Sequence, residues 1–175
     1  AMPAMAGHAA DDVPWECLFL NEADALGGHG CATVVVDGRL QGTATAGEHF
    51  MFLPVVDVPS PLALRLRVRT AATLRDRGEL YFRTAEHDRW GMEQLVRFPL
   101  PHDAAWHDLF VPLPTTGALR QLRLSLGRGE GDFAIEWIRL ERDPYPAAVR
   151  DLTPALPVVL EDAALRLEFS ARDHV

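Results

Sequence analysis

The stretch 62–70 alternates strictly between apolar and charged side chains. Its even-numbered positions from 62 to 68 are apolar, and positions 65, 67 and 69 are all arginine. Side chains of a β-strand point alternately to its two faces, so this run places its apolar groups on one face. A helix would distribute the same residues around its circumference. The pattern therefore predicts a strand with one face in a hydrophobic core and an arginine-rich outer face.

Shorter apolar or alternating runs recur along the chain, separated by turn residues such as Asp37-Gly38 and the glycine-rich stretch 127–131. No long segment shows the 3.6-residue period of a helix. The fold class is therefore predicted to be all-β, an antiparallel β-sandwich, with 127–131 as a hairpin turn before the last strand of the sandwich. The predicted strands are 15–20, 32–36, 39–45, 48–53, 62–70, 79–84, 92–98, 106–113, 119–126 and 133–141.

The length of 175 residues fits one domain with tails. We assign residues 1–14 to a cloning scar and flexible N-terminus, and 15–142 to the β-sandwich. The prolines within 143–157 predict a linker. Residues 158–175 contain one further strand-like run, which is either an edge strand of the sandwich or the start of a further domain.

The charge of the chain limits its partners. The net charge is −8 and all 17 basic residues are arginine, which argues against a nucleic-acid partner because phosphates favour a basic surface. No run of 18 apolar residues occurs, so we expect no membrane insertion and a soluble protein. Cys17 and Cys31 lack the spacing of a zinc site, and they are interpreted either as buried thiols or as a disulfide.

The order of these segments resembles the galactose-binding-like (jelly-roll) carbohydrate-binding modules that are appended to bacterial glycan-processing enzymes. The resemblance rests on the Trp15–Phe19 motif, the Val36–Gly42 turn, the strand around Leu66, the Trp106-His107-Asp108 motif and the closing Ile135–Leu140 run, together with 80–84 and 122–124. It implies a jelly-roll sandwich that binds sugars without catalysis. It also implies a bacterial protein, cytoplasmic if it is attached to a glycosyltransferase and secreted if it is attached to a hydrolase.

A sugar site needs an exposed aromatic ring flanked by groups that form hydrogen bonds. Trp90, in a polar loop between two predicted strands, is the best candidate for the ring; alternatively, it folds back over the sheet edge. We expect the polar sheet face to add guanidinium and phenol groups that could hold an acidic or multiply hydroxylated glycan. The alternative is a solvated face on which the arginines pair with carboxylates. The predicted ligand-binding residues beside Trp90 are Arg67, Tyr81, Arg83, Arg123 and Gln94, with Glu93 as an alternative to Gln94.

The resemblance further implies a structural calcium ion that joins the first strand to the last. The acidic residues in matching places are Glu16 and Glu136. The pairing of Glu136 with an arginine is the alternative.

No catalytic motif is present in the sequence. The serines lack a nucleophile-elbow context, and the neighbouring His and Asp residues at 87–88, 102–103 and 107–108 form no HxH or HExxH pattern. We therefore expect a non-catalytic module that positions an attached enzyme on a polysaccharide. The alternatives are a structural or interaction domain of the same fold without sugar binding, and a jelly-roll lyase or hydrolase.

Overall fold

The computed structural model describes residues 13–21, 25–45, 47–53, 57–60 and 62–143, together with two later strands. These residues form two units, 1–143 and 144–175, which are considered separately. Residues 1–12 of the predicted N-terminal tail and residues 144–157 of the predicted linker lie outside the described residues. Among the described residues, no helix is long and apolar enough to cross a bilayer.

The first unit consists of two antiparallel sheets, which confirms the predicted all-β sandwich. The strands are β1 Trp15–Cys17, β2 Gly28–His29, β3 Cys31–Val36, β4 Arg39–Ala44, β5 Phe50–Phe52, β6 Val58–Pro59, β7 Leu62–Thr70, β8 Gly78–Thr84, β9 Leu95–Phe98, β10 Trp106–Leu113, β11 Ala118–Ser125 and β12 Gly131–Arg142. Sheet 1 has the strand order β10-β7-β12-β4-β3, and β1 pairs with the end of β12 that β4 does not cover. Sheet 2 has the order β2-β5-β11-β8-β9, and β6 pairs with β11.

The hydrophobic core lies between the inner faces of the two sheets. The predicted alternation of β7 is confirmed, because its even-numbered residues from 62 to 68 are buried. The same alternation buries one face of β8 and of β11 and leaves Tyr81, Arg83 and Arg123 on the other. Between β3 and β4, Asp37 and Gly38 form the predicted turn. Both have positive φ, 51° and 70°, as a two-residue type I′ hairpin requires.

Three predicted strands are markedly shorter than expected. The strand predicted at 48–53 is reduced to Phe50–Phe52. The strand predicted at 15–20 ends at Cys17, because Phe19 adopts a φ of 50°, which no extended strand contains. The run predicted at 92–98 begins as a short 3₁₀ helix over Met92–Gln94 and becomes the strand β9 only at Leu95.

The glycine-rich stretch 127–131 is not the predicted hairpin turn. The strands on either side of it, β11 and β12, belong to different sheets, so the stretch crosses from sheet 2 to sheet 1. Reciprocal backbone hydrogen bonds of 2.8 and 3.0 Å between Arg75 and Arg128 hold this crossing in place. Turn chemistry marks a change of direction, but it does not specify which sheet receives the next strand.

A β-bulge in β12 explains how this long strand contributes to the core. The register of β12 against β7 shifts between Ile135 and Trp137, so Glu136 has no directly opposite partner. Ile135 and Ile138 are both fully buried although they are three positions apart. The extra residue leaves both Glu136 and Trp137 outside the core, a known effect of bulges.

The second unit contains a β-hairpin. The run 158–169, interpreted from the sequence as one strand, consists of two antiparallel strands, β13 Val158–Asp162 and β14 Leu165–Phe169, which pair with each other. Each strand therefore finds its backbone hydrogen-bond partners in the other. The assignment of this unit to an edge strand or to a further domain stays a prediction.

His49 is a buried polar residue in the core that gives a testable stability prediction. It is fully buried, and neither of its ring nitrogens has a hydrogen-bond partner among the described residues. Its ring stacks on Phe133 at a centroid distance of 6.0 Å. Burial lowers the pKa of His49 below its ordinary value of 6.5. The unfolded chain therefore binds this proton more readily than the folded protein does.

We predict that His49 makes the protein sensitive to acid. Above the ordinary histidine pKa, His49 is neutral in both the folded and the unfolded protein and costs no stability through protonation. As the pH falls below that value, the unfolded chain takes up the proton first, and the free energy of unfolding decreases. In His49→Leu, the decrease in melting temperature between about pH 7.5 and pH 5 should be smaller than in the parent protein. His87→Gln, which removes an exposed imidazole, is the control and should retain the parental slope. Equal slopes in His49→Leu and the parent would contradict this account.

Candidate functional site

The outer face of sheet 2 carries aromatic rings and arginines side by side. We call this surface the aromatic–arginine face. The alternation of β5, β8 and β11 directs five of its side chains away from the core, because the residues next to them on these strands, such as Met51, Phe82 and Leu122, are buried. Trp90 joins them from the loop after β8. The face is formed by Phe50, Phe52, Tyr81, Arg83, Trp90 and Arg123.

The register of the strands sets the centre of this face. Arg123 on β11 lies directly opposite Phe52 on β5 and also opposite Tyr81 on β8. Tyr81 in turn lies opposite Leu95 on β9. Neighbouring strands are about 4.8 Å apart, so these side chains form one row across the sheet. The row combines two rings and one guanidinium within reach of a single ligand.

Arg123 lies among three aromatic rings. Its guanidinium carbon is 4.1 Å from the ring centroid of Tyr81, 4.5 Å from that of Phe50 and 5.7 Å from that of Trp90. Contacts at this range are cation–π interactions, worth about 0.5–2 kcal/mol depending on how far water is excluded. The rings therefore hold the guanidinium in a fixed place.

Trp90 folds over the face from the loop between β8 and the short 3₁₀ helix. Its ring lies 6.1 Å from that of Phe52, and the guanidinium carbon of Arg83 is 5.4 Å from its centroid. Arg83 itself forms an ion pair with Asp88 and donates a hydrogen bond of 3.1 Å to Gln121 Oε1. The ring of Trp90 therefore lies against the outer face of sheet 2 and not over the sheet edge, and this position brings it beside Arg83 and Arg123. Trp90 remains half-buried, so part of its surface is available to a ligand.

A cleft of about 460 Å³ lies beside Trp90 and is lined by Gln94, Glu93 and the loop residues Glu86–Gly91. This volume falls within the range of roughly 300–1,000 Å³ that is typical of small-molecule sites. Gln94 is buried and its Oε1 has no hydrogen-bond partner among the described residues. Glu93 is exposed. Both predicted alternatives at this position therefore line the same cleft.

Arg67 does not lie on this face, which corrects the prediction that it joins Tyr81 and Arg83. It belongs to β7 of sheet 1, which pairs with β10 and β12 and not with β8. Because the two sheets pack by their inner faces, their outer faces point in opposite directions. There Arg67 pairs with Glu136 at 2.9 Å and with Asp108 at 3.6 Å. Ion pairs of the kind given as the alternative therefore surround Arg67 on sheet 1.

The outer face of sheet 1 also carries a tryptophan flanked by arginines. The guanidinium carbons of Arg39 and Arg69 are 5.5 and 5.3 Å from the ring centroid of Trp106. This arrangement is the counterpart of Trp90 on the opposite side of the molecule, and it provides a matched control for experiments on the site.

Sequence reasoning missed Phe50 and Phe52. Phe50 is half-buried, Phe52 is 37% exposed, and the two rings meet edge to face at 5.3 Å. All three residues of 50–52 are apolar, so only the structure shows that Met51 is the one that faces the core. In a strand, the alternation of side chains then places both phenylalanines outside the core.

The residues predicted to bind calcium are both engaged by arginines. Glu16 pairs with Arg139, and Glu136 pairs with both Arg39 and Arg67. Calcium requires about six to eight oxygen ligands, and the described residues contain no group of three acidic, histidine or cysteine side chains that could hold a metal ion. The two glutamates as placed here therefore do not fit a calcium site. The ion pair of Glu136 that we gave as the alternative is present.

The His and Asp residues at 102–103 and 107–108 are engaged in contacts away from the aromatic–arginine face. His107 Nε2 lies 2.9 Å from Asp103 Oδ1, and this hydrogen bond holds the pKa of Asp103 below its ordinary value. His102 makes structural contacts, with Nδ1 2.9 Å from Thr70 Oγ1 and Nε2 2.8 Å from the carbonyl oxygen of Asp76. No disulfide joins Cys17 to Cys31, and burial raises the pKa of the Cys31 thiol.

The fold is similar to that of solved carbohydrate-binding modules. The unliganded CBM1 of BiXyn10A is 11% identical to this chain and has a TM-score of 0.53, over 76% of this chain and 100% of that one. The CBM6cm-2 module from Cellvibrio mixtus lichenase 5A, solved with cellotriose, is 15% identical with a TM-score of 0.49, over 75% of this chain and 98% of that one. The C-terminal CBM6 of LamC from Zobellia galactanivorans is 17% identical with a TM-score of 0.48, over 69% of this chain and 95% of that one.

No known family profile matches this sequence, and no curated protein sequence matches it. The similarity to the first of these structures is therefore a likeness of fold alone. It shows that the sandwich has a β-sandwich fold that is also found in a carbohydrate-binding module.

We predict that the protein folds independently of calcium. The guanidinium groups already compensate the charge of Glu16 and Glu136, so no buried charge remains there for a cation to neutralise. Adding excess EDTA, or calcium at about 1–10 mM, should leave the melting temperature unchanged within roughly 1 °C. A large decrease with EDTA that calcium reverses would show that the carboxylates rearrange around a metal ion.

Proposed function

We propose that the sandwich is a non-catalytic carbohydrate-binding domain and that the aromatic–arginine face holds the glycan. The observation that carries this proposal is the row of Phe52, Arg123 and Tyr81 with Trp90 laid beside it. Sugar rings present flat apolar faces and a rim of hydroxyl groups. The partly exposed aromatic rings can pack against the apolar faces of the sugar. The guanidinium groups and Gln121 can form hydrogen bonds with its hydroxyl groups.

The form of the site favours an extended glycan over a small enclosed molecule. The row crosses the sheet from β5 to β9, and the cleft at Trp90 and Gln94 continues it at one edge. Several rings along a strand-spanning surface can each contact a different sugar unit of one chain. The layout of the face therefore supports an oligo- or polysaccharide as the ligand.

The chemistry of the face favours binding over catalysis. Glycosidic cleavage by paired carboxylates requires two acids about 5–10 Å apart across the bond, with environments that separate their pKa values. Two of the described carboxylates around the face are committed to ion pairs, Asp88 with Arg83 and Glu79 with Arg97. Glu86 and Glu93 line the cleft beside Trp90, and both are exposed. A lyase or hydrolase reaction has no comparable support among the residues described.

We further propose that this domain positions an attached glycan-processing enzyme on its substrate, in a bacterial protein. This proposal extends the resemblance to modules that are appended to such enzymes. A binding domain of this kind raises the effective concentration of a tethered catalytic domain near a polymer, without any new contact to the reacting bond. The compartment would then depend on the attached enzyme. The protein would be secreted if the enzyme is a hydrolase and cytoplasmic if it is a glycosyltransferase.

The predicted effect of Trp90 on sugar binding tests the site. A glycan array identifies the best-bound glycan, and calorimetry measures its affinity. Trp90→Ala should weaken binding at least about fivefold, because one ring–ligand contact of about 1 kcal/mol or more is removed. Trp106→Ala removes the other arginine-flanked tryptophan on the opposite sheet, and it should leave the affinity unchanged. Folded protein that binds no glycan at millimolar concentration would overturn the proposed function.

A further inference from the structure

We propose that the aromatic–arginine face selects acidic glycans and that Arg123 binds the carboxylate of a uronate sugar. This inference rests on the proposed function and adds the chemical class of the ligand. It starts from the fact that Arg123 differs from the arginines around it in how its charge is compensated.

The neighbouring arginines of sheet 2 are already neutralised. Arg83 pairs with Asp88, Arg97 pairs with Glu79 at 2.9 Å, and Arg120 pairs with Asp57 at 3.6 Å. Arg123 forms no ion pair with any described carboxylate, and no described acceptor takes a hydrogen bond from it. The centre of the face therefore carries one positive charge that nothing in the described part of the chain compensates.

Arg123 is also held in a partly dehydrated environment. It is half-buried among Tyr81, Phe50 and Trp90, and its Nε is buried without a hydrogen-bond partner. Electrostatic interactions are stronger where water is partly excluded. Because Nε is buried, a ligand can reach the guanidinium group only through its two terminal nitrogens. Those two groups are arranged to donate parallel hydrogen bonds to a carboxylate.

The surrounding rings place the rest of a uronate sugar. Tyr81 and Phe50 lie within 4.5 Å of the guanidinium carbon, and Trp90 lies further out at 5.7 Å. A pyranose carboxylate projects from the edge of a ring whose face is apolar. With the carboxylate on Arg123, the sugar ring can lie against Trp90 or Phe52. A neutral sugar can use the same rings, but it leaves the charge of Arg123 uncompensated.

The experiment compares matched neutral and acidic ligands. The glycan array carries each backbone in a neutral, a uronate and a methyl-esterified uronate form. Esterification removes the charge of the carboxylate and keeps the sugar. The best-bound glycans should carry free carboxylates, and esterification should reduce their affinity at least about tenfold, as expected for loss of a charge-assisted hydrogen bond. If neutral and esterified glycans bind as well as the free acids, the inference falls and the proposed function stands. If no glycan binds, both fall.

Variants of two arginines separate ligand selection from a structural role. Arg123→Gln should remove most of the difference in affinity between the free acid and its ester, and Arg123→Lys should retain part of it because the charge remains. Arg97→Gln removes a paired arginine from the same sheet and should leave the acid-to-ester ratio unchanged. If Arg123 had only a structural role, its replacement would weaken the binding of the acid and of the ester equally. An unchanged acid-to-ester affinity ratio in folded Arg123→Gln would therefore overturn the inference.

Discussion

The apolar layer between the two sheets determines where every other surface of this domain lies. The inward residues of β7 and β12, such as Leu66 and Ile138, are fully buried, as are Leu80 and Leu124 on the opposing sheet. Burial of a leucine-sized side chain contributes roughly 1.5–3 kcal/mol, so the inward face of each strand is strongly specified. A strand has two faces, and fixing one in the core necessarily directs the other to solvent.

The two solvent faces then differ in chemistry although both are rich in arginine. On sheet 1, carboxylates on neighbouring strands compensate most of the arginines, as Glu136 does for Arg39 and Arg67. On sheet 2, aromatic rings occupy the corresponding places around Arg123. The first arrangement satisfies its own charges, and exposed ion pairs of this kind add little stability. The second leaves rings and a cation available to a ligand, which is why the proposed function is placed there.

The sequence was sufficient for the fold class and for most strands, because a period of two is a local signal. The strand 62–70 and the strand 106–113 have the predicted bounds. Sheet membership is not a local signal. Arg67 was therefore grouped with Arg83 although their strands lie in different sheets, and 127–131 was interpreted as a hairpin although it crosses between sheets. Phe50 and Phe52 were missed because aromatic residues are usually buried, and the pairing of β5 with β11 alone brings them to Arg123.

The indole groups of the four tryptophans allow the central claim to be measured directly. Each indole N–H gives a separate signal in a ¹⁵N–¹H correlation spectrum, and Trp15, Trp90, Trp106 and Trp137 can be assigned by single substitutions. Titration with the best-bound glycan should shift the Trp90 signal in a saturable way with the calorimetric affinity. The signals of Trp106 and Trp137 should not move, because they report on sheet 1. Saturable shifts of Trp106 or Trp137 with an unmoved Trp90 would place the glycan on the opposite sheet and contradict the account.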